Sequence, residues 1–243
     1  MYKFSFDGKH SDEFNVFTGR MQTGFYETPF LGSRNIQEQN LPNRTRPIYQ
    51  GIQSEPLSAE MQVFGYNGNI SDEQFNAILQ WLTPVGYKYF QIDYFNEDVM
   101  FKAQMQNIQL MSLGDEQRYI NITMRFDSAH GYIHHSSNNS NVDTSRMAVQ
   151  YVYPRLQIQV VGDGTVSIVS ANATSVFRDM TGGSQITVCG ETAELTLSGT
   201  GFQYPGHLFN KVFPRLSREH GNIQLTNGTL INMSVDVPII PYF

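Results

Sequence analysis

The chain has little charge and almost no cysteine. Only 16% of its 243 residues are Asp, Glu, Lys or Arg, whereas about a quarter are charged in an average soluble domain. The single cysteine, Cys189, excludes an internal disulfide framework and a thiolate zinc site, and its β-rich surroundings indicate a core residue. No segment approaches the roughly 20 apolar residues of a membrane-spanning helix, and the amino terminus lacks a hydrophobic signal core. We expect a protein made and used in a reducing cytoplasm, or assembled there before release, with no membrane segment.

Basic segments are also missing. The net charge is −6, and no stripe of Lys and Arg runs along the chain, which argues against a protein that binds nucleic acid through its phosphates. The polar remainder consists of Asn, Gln, Ser and Thr. Covering such a surface does not require the desolvation of many ions. The composition therefore favours an oligomer.

Catalytic and metal-binding motifs are scarce. The sequence has no G-x-S-x-G elbow and no glycine loop with either common phosphate-binding spacing. His130, His134 and His135 come nearest to a metal site. Two ligands four residues apart need a helix, which Gly131 and the Ser/Asn run after it disfavour. We predict neither an enzyme nor a bound cofactor or metal.

One segment in the first half has a helical pattern among strands. Ser71-Asp-Glu-Gln74 is a capping box. The apolar residues that follow it at helical spacing are Phe75, Ile78, Leu79 and Leu82. Pro84 and Gly86 end the helix, and Trp81 lies on or beside its apolar face. The flanking segments alternate with period two, as in residues 120–126. One helix that covers a sheet predicts an α+β N-terminal domain.

The second half contains short alternating segments separated by glycine turns. Leu156, Ile158 and Val160 form one of them, and Asn227-Gly228 before Ile231 is a hairpin signal. Segments at this spacing, without a helical pattern, predict a β-sandwich.

A polar stretch separates the two sets of strands. Residues 136–145 are almost entirely Ser, Asn, Asp and Thr, so they bury no face and are typical of a linker. We predict a first domain at residues 1–135, a linker at 136–145 and a second domain at 146–243.

The segment from Thr28 to Pro56 has four prolines and little alternation. A loop this long in a compact domain is usually either functional or disordered. In the functional interpretation it is an arm that lies on a neighbouring subunit, where Arg34, Arg44 and Arg46 bind carboxylates. In the alternative interpretation it is an unstructured surface loop.

Sugar binding is a second hypothesis for the β-sandwich. Exposed Tyr, Asn and Asp hold sugars by stacking and hydrogen bonds. The candidate residues of the second half are Tyr204, His207, Asn210, Arg215, Asn222 and Asn232. This half contains no tryptophan, which weakens the hypothesis. The alternative function is a carbohydrate-binding β-sandwich protein that mediates adhesion to a host surface.

The order of these features resembles the distal tail proteins of siphophages, the bacteriophages with long non-contractile tails. The segments that carry the resemblance are Met1-Tyr-Lys-Phe-Ser-Phe-Asp-Gly8, Ser11-Asp-Glu-Phe-Asn-Val16, Trp81-Leu82, Tyr87-Lys-Tyr-Phe90, Ile122-Thr-Met-Arg-Phe126, Tyr153-Pro-Arg-Leu-Gln-Ile158, Gly162-Asp-Gly164 and Gly221-Asn-Ile-Gln-Leu225. They cover nearly the whole chain, although no single motif is diagnostic. Many relatives have a Pro-Gly-Arg-x-Gly turn in the early loop, where this chain has Leu41-Pro-Asn-Arg-Thr45.

The resemblance implies an architectural role. Such proteins form a hexameric ring, a hub at the distal end of the tail, through their first domains. Their galectin-like second domains point outward. The implied partners are the tail tube protein, the tail-tip protein and the receptor-binding or other baseplate proteins, without a membrane or specific nucleic-acid binding. The implied location is the virion, after assembly in the cytoplasm of the bacterial host.

Overall fold

Strands make up most of the chain that the computed structural model describes, which is residues 2–22, 34–39, 48–54, 56–93, 99–114, 117–198 and 209–239. The strands are β1 (Phe4–Phe6), β2 (Lys9–His10), β3 (Val16–Gln22), β4 (Arg34–Gln39), β5 (Ile48–Ser54), β6 (Ser58–Gly65), β7 (Lys88–Ile92), β8 (Val99–Leu113), β9 (Gln117–Phe126), β10 (Gly131–Ser137), β11 (Tyr151–Val152), β12 (Arg155–Val160), β13 (Gly164–Ser170), β14 (Ala173–Met180), β15 (Gln185–Cys189), β16 (Glu194–Ser198), β17 (Leu216–Ser217), β18 (Gln224–Thr226) and β19 (Gly228–Ile239). The described residues form one α-helix, α1 (Asp72–Leu82), and a short 3-10 helix, Ser11–Phe14.

The chain divides into two compact units. The N-terminal unit is Met1–Gly131 with Pro241–Phe243, and the C-terminal unit is Tyr132–Ile240. The N-terminal unit combines sheet and helix, and the C-terminal unit contains strands only among its described residues. The predicted fold class, mainly β with an α+β first part and a β-sandwich second part, is confirmed.

The main sheet of the N-terminal unit is antiparallel, in the order β2-β1-β7-β8-β9-β6-β3, and β4 and β5 pair separately. Tyr2 bridges to Thr18 of β3 through backbone N–O distances of 3.0 and 2.8 Å. The sheet therefore closes on itself. Alternate side chains point into the enclosed core, where the fully buried aromatic residues are Phe4, Phe6, Phe90, Phe101 and Phe126.

The helix α1 begins and ends as the sequence predicts. Ser71 Oγ accepts a hydrogen bond from the backbone N–H of Gln74 at 3.1 Å, which satisfies one of the free N–H groups of the first turn. The side chain of Gln74 does not return to Ser71 but donates to the carbonyl of Phe14 at 2.7 Å. Only one of the two hydrogen bonds of the predicted capping box thus forms. The Gln74 side chain instead attaches the helix to the end of the 3-10 helix at Phe14.

Trp81 attaches the end of α1 to the core. Its indole N–H donates to the carbonyl of Phe6 at 2.8 Å. Its ring stacks on Phe14 with a centroid distance of 4.3 Å and on Phe4 with one of 5.3 Å. The side chain is 5% exposed, so it contributes both apolar burial and a satisfied polar group.

Two sheets form the sandwich of the C-terminal unit. The larger has the order β16-β15-β12-β19-β10 and the smaller β14-β13-β18, while β11 and β17 pair separately. Both sheets contribute fully buried side chains, among them Leu156 and Ile158 of β12, Val166 and Ile168 of β13, and Met233 of β19.

The predicted hairpin at Asn227-Gly228 is wrong. β18 pairs with β13 in the smaller sheet, whereas β19 pairs with β12 in the larger one. Asn227 adopts a left-handed φ of 57°, and its side-chain amide both accepts from Gly162 N at 2.9 Å and donates to Gly162 O at 2.8 Å. A Cβ at position 228 would lie 2.8 Å from Ile158 Cγ2. The chain therefore crosses from the smaller sheet to the larger one at Asn227-Gly228. The side-chain amide of Asn227 bonds both backbone polar groups of Gly162 at this point, as a neighbouring strand would.

The polar stretch predicted as a linker, residues 136–145, lies inside the C-terminal unit. Its strand part belongs to β10, and Val142 N donates to Gly221 O at 2.8 Å. Its side chains also bond backbone N–H groups two residues ahead, as Ser137 Oγ does for Asn139 N at 3.0 Å and Asp143 Oδ1 does for Ser145 N at 3.0 Å. The pKa of Asp143 is lowered mainly by a hydrogen bond from the side chain of Ser145, and next by the one from the backbone N–H of Ser145. Local hydrogen bonds order this segment without apolar burial.

The segment Thr28–Pro56, predicted as a long loop, contains a hairpin. β4 and β5 pair antiparallel, with Ile36 opposite Ile52 and a bulge after Gln37. Its alternation was hidden because most of its residues are polar.

We predict that Trp81→Ala lowers the free energy of unfolding by about 3–5 kcal/mol, because it removes a large buried ring. Trp81→Phe keeps an aromatic ring but loses the indole donor to Phe6, so we expect a smaller loss of about 1–2 kcal/mol. Urea unfolding followed by far-UV circular dichroism measures both. Equal losses in the two variants would show that ring packing at this position contributes nothing.

Candidate functional site

A row of apolar side chains crosses the outer face of the closed N-terminal sheet. Phe17 of β3 lies opposite Phe64 of β6, Phe64 lies opposite Tyr119 of β9, and Tyr119 lies opposite Met111 of β8. The ring centroids of Phe17 and Phe64 are 5.9 Å apart, and those of Phe64 and Tyr119 are 5.4 Å apart. We call these four residues the aromatic row. The flanking residues Val63 and Ile120 are fully buried, which places the row on the opposite side from the core.

The aromatic row is partly exposed. Met111 is 39% exposed, and the three aromatic residues are half-buried. At position 19, a Cβ would lie 2.8 Å from Phe64 Cε2, so Gly19 provides the space in which that ring lies across β3. Four adjoining apolar side chains on the outer face of a sheet do not serve the core, and a continuous patch of this kind is typical of a protein–protein contact.

A bulge in β8 brings Met111 into the row. The register with β9 shifts between Met105 and Asn107, so Gln106 is an extra residue in the strand. Before the bulge, Met105 lies opposite the buried Met124, and after it Ile108 lies opposite the buried Ile122. The shift keeps these apolar residues on the inner face.

Mostly uncharged polar residues lie along one side of the row on the outer face. The cross-strand sets there are Gln109, Asn121, Gln62 and Arg20, then Asn107, Thr123, Glu60 and Gln22, then Gln104, Arg125 and Ser58. Arg20, Glu60 and Arg125 are the charged residues among them. A partner that covers this face therefore has few ions to desolvate.

An ionic cluster lies at the end of the row. The ring of Tyr66 stacks on Phe17 at 5.6 Å, and its hydroxyl donates to Asp12 Oδ1 at 2.5 Å. Lys3 Nζ donates to Asp12 Oδ2 at 2.6 Å. The hydrogen bond from Lys3, followed by that from Tyr66, lowers the pKa of Asp12. The same bonds raise the pKa of Lys3 and of Tyr66. The cluster fixes Tyr66, and with it one end of the row, to the short 3-10 helix.

A second apolar patch lies elsewhere in the N-terminal unit. Val85 follows α1 and is 97% exposed, and Tyr87 and Tyr89 are 41% and 37% exposed. Lys102 Nζ lies 5.6 Å from the ring centroid of Tyr89. Tyr89 lies on the outer face of the sheet, because Phe90 after it is fully buried, and Tyr87 lies just before β7. We call Val85, Tyr87 and Tyr89 the tyrosine patch.

The arginines predicted for an assembly interface fall largely outside the described residues. Arg34 begins β4, without a described side chain, and Arg44 and Arg46 lie outside the described ranges. Their assembly role stays a prediction.

The candidate metal residues do not converge. His134 and His135 are neighbours on β10 and so point to opposite faces. His134 Nδ1 lies 2.8 Å from Asp236 Oδ1. The described part of the chain has no group of three or more His, Cys, Asp or Glu residues suited to a metal. Cys189 is 6% exposed within β15. Neither described helix is long and apolar enough to cross a membrane.

Two of the asparagines considered for sugar binding, Asn210 and Asn232, make side-chain hydrogen bonds within the chain. Asn210 Oδ1 accepts from Val176 N at 3.1 Å, and its Nδ2 donates to Thr174 O at 2.8 Å. Asn232 Oδ1 accepts from Ser136 Oγ at 3.4 Å. The backbone of Asn222 forms an isolated β-bridge with that of Asn141. Tyr204 and His207 lie outside the described residues.

Family comparisons match both units of the chain. The family model described as "Phage tail protein N-terminal domain" matches residues 1–128, and the one described as "Phage tail C-terminal domain" matches residues 125–240. No curated protein matches the sequence significantly.

The fold is similar to those of solved phage proteins. The crystal structure of the SPP1 Dit (gp 19.1) protein, described as a paradigm of the hub adsorption apparatus in phages that infect Gram-positive hosts, has a TM-score of 0.66 at 6% identity, over 97% of this chain and 99% of that one. A chain of the phage P2 baseplate in its activated conformation with Ca has a TM-score of 0.57 at 9% identity, over 97% of both chains. A chain of the same baseplate in its activated conformation with Sr has a TM-score of 0.55 at 7% identity, over 97% of this chain and 98% of that one.

The Asp12 cluster predicts a pH dependence of stability. The pKa of the Asp12 carboxyl in the folded chain lies below the ordinary value of 3.8. The ionised carboxylate therefore stabilises the fold above about pH 3.8, and this stabilisation is lost as the pH falls through the folded-state pKa of Asp12. We expect the thermal midpoint of Asp12→Asn to fall less than that of the parent between about pH 5 and pH 2.

The matched control for this prediction is Glu219→Gln, which changes an exposed carboxylate of the C-terminal unit. Differential scanning calorimetry over this pH range measures all three proteins. An unchanged pH dependence in Asp12→Asn would contradict the proposed contribution of the cluster.

Proposed function

The chain belongs to the phage tail protein family whose two domain models match residues 1–128 and 125–240, and from this membership we propose that it is the ring-forming hub at the distal end of a phage tail. In this role six copies form a ring that joins the tail tube to the tail-tip and receptor-binding proteins. Two findings together give this proposal its strongest support. The family models match nearly the whole chain, and its fold is similar to that of a hub protein with a TM-score of 0.66.

Several broader statements are established. The resemblance to distal tail proteins is confirmed, and the protein has a structural role in a phage tail or baseplate. Its family is not an enzyme family. Its place is the virion, in association with other tail or baseplate proteins. Assembly in the host cytoplasm, before release, is part of the proposal.

A closed ring of identical copies needs two different surfaces on each copy, since every contact is head to tail. Among its described residues, the N-terminal unit has two separate apolar surfaces, the aromatic row and the tyrosine patch. We therefore assign the contact to these two: the aromatic row of one copy packs on the tyrosine patch of the next. Apolar side chains at the centre with uncharged polar residues around them are what such a contact requires.

The C-terminal unit then serves as the attachment site for other baseplate proteins, and the segment that includes Arg34, Arg44 and Arg46 reaches a neighbouring copy. Arginine suits the second role, because its planar guanidinium binds carboxylates through two parallel hydrogen bonds. Both roles rest on the resemblance of the whole chain to distal tail proteins.

Complementary variants test the head-to-tail contact. Met111→Lys damages the aromatic row and Tyr87→Lys damages the tyrosine patch, so we expect each variant alone to be monomeric at concentrations at which the parent assembles. An equimolar mixture retains one intact row and one intact patch per pair. We therefore predict that the mixture forms 1:1 dimers that grow no further, as measured by size-exclusion chromatography with multi-angle light scattering.

Val161→Lys is the matched control, because it places the same charge at a side chain of the C-terminal unit that is 66% exposed. It should assemble as the parent does. Monomers in the mixture, or full assembly of both single variants, would rule out this pairing of surfaces without deciding whether the ring forms through others.

A further inference from the structure

The C-terminal unit contains a cavity that the ring does not use. Its volume is about 360 Å³, which is at the lower end of the range for small-molecule sites. Loops that connect the strands supply its walls: Tyr153 before β12, Asn172 before β14, Gly190 after β15, and residues 211–215 before β17. Loops held at one end of a rigid sandwich are a common place for a binding site.

An aromatic wall lines one part of the cavity. Tyr153 is 38% exposed, and Phe213 is half-buried beside it. At position 190 a Cβ would lie 2.5 Å from Tyr153 Cδ1 and 2.8 Å from Phe213 Cβ. Glycine is therefore required at position 190, because Tyr153 and Phe213 pack directly against its backbone and leave no room for a side chain.

Two cations and no carboxylate are among the described lining residues, although the whole chain carries a net charge of −6. Arg215 is fixed in place. Its Nε donates to Ala171 O and its Nη2 to Asn172 O, each at 3.1 Å, and its guanidinium lies 4.3 Å from the ring centroid of Tyr151. Lys211 is exposed and has no ion pair with any residue that the structure describes.

The loop that carries Lys211 is held on both sides. Before it, Phe209 stacks on Phe177 at 4.8 Å and contacts Phe213 edge-on at 5.3 Å. Asn210 Oδ1 accepts from Val212 N at 3.3 Å. Lys211 itself has a left-handed φ of 59°. This backbone conformation is uncommon for residues other than glycine, because it brings the side chain too close to the backbone. The loop therefore presents Lys211 from a fixed backbone.

We propose that this cavity binds a sugar unit that bears an anionic substituent, such as a phosphate or a carboxylate. The apolar face of the sugar ring packs on Tyr153 and Phe213. The anionic group lies between Lys211 and Arg215, where charge-assisted hydrogen bonds are stronger than neutral ones. Asn172 also lines the cavity, and in this proposal its side-chain amide binds a ring hydroxyl. A free inorganic anion would not contact the aromatic wall, and a neutral sugar would leave Lys211 and Arg215 without an anionic partner.

Isothermal titration calorimetry of the full chain tests this with four probes: glucose 1-phosphate, glucuronate, glucose and inorganic phosphate. We expect glucose 1-phosphate or glucuronate to bind at least about tenfold more tightly than both glucose and inorganic phosphate. Lys211→Ala should weaken that binding about tenfold or more and reduce its dependence on salt. Tyr153→Ala should weaken it as well, while Tyr153→Phe should retain it.

Lys9→Ala is the matched control, since Lys9 is an exposed lysine of the N-terminal unit, and it should bind as the parent does. Thermal unfolding of each variant verifies that it is folded. Three results would overturn the proposal: no binding of either acidic sugar, equal binding of inorganic phosphate and glucose 1-phosphate, or undiminished binding by Lys211→Ala. None of these results bears on ring formation, so the two proposals fail separately.

Discussion

In a closed sheet, alternation of side chains leaves each strand with one face inside and one outside, and the bulge at Gln106 adjusts this alternation within β8. Before the bulge Met105 lies on the inner face, and after it Ile108 does. A regular strand would turn Ile108 outward and Met111 inward. The extension of the apolar row from Tyr119 of β9 to Met111 of β8 depends on this one extra residue.

The C-terminal unit depends on polar side chains that bond the backbone. Asn227 pairs with both backbone polar groups of Gly162, and this bond allows the chain to cross from one sheet to the other. Asn210 binds backbone groups of β14 and of its own loop, which positions Lys211 at the cavity. Some of the asparagines of this chain therefore have structural roles.

The sequence predicted those features that depend on local signals. The helix at Asp72–Leu82 was predictable because its cap and its apolar spacing lie within a dozen residues. At Asn227 the local signal correctly indicated a turn, but a turn does not specify which strand its flanks will pair with. The aromatic row was not predicted, since it joins residues as distant as Phe17 and Tyr119 through register alone. Polarity was also misleading in residues 136–145, where hydrogen bonds replace apolar burial.

The central claim is that the aromatic row becomes buried between copies of this chain. Hydroxyl-radical footprinting with mass spectrometry measures it directly, by comparing the chain at a concentration that keeps it monomeric with the chain at one at which we expect it to assemble. The account predicts that oxidation of Met111 and Tyr119 falls several-fold in the oligomer, while that of Tyr153 in the C-terminal unit stays the same. An oligomer in which Met111 is oxidised as fast as in the monomer would contradict it.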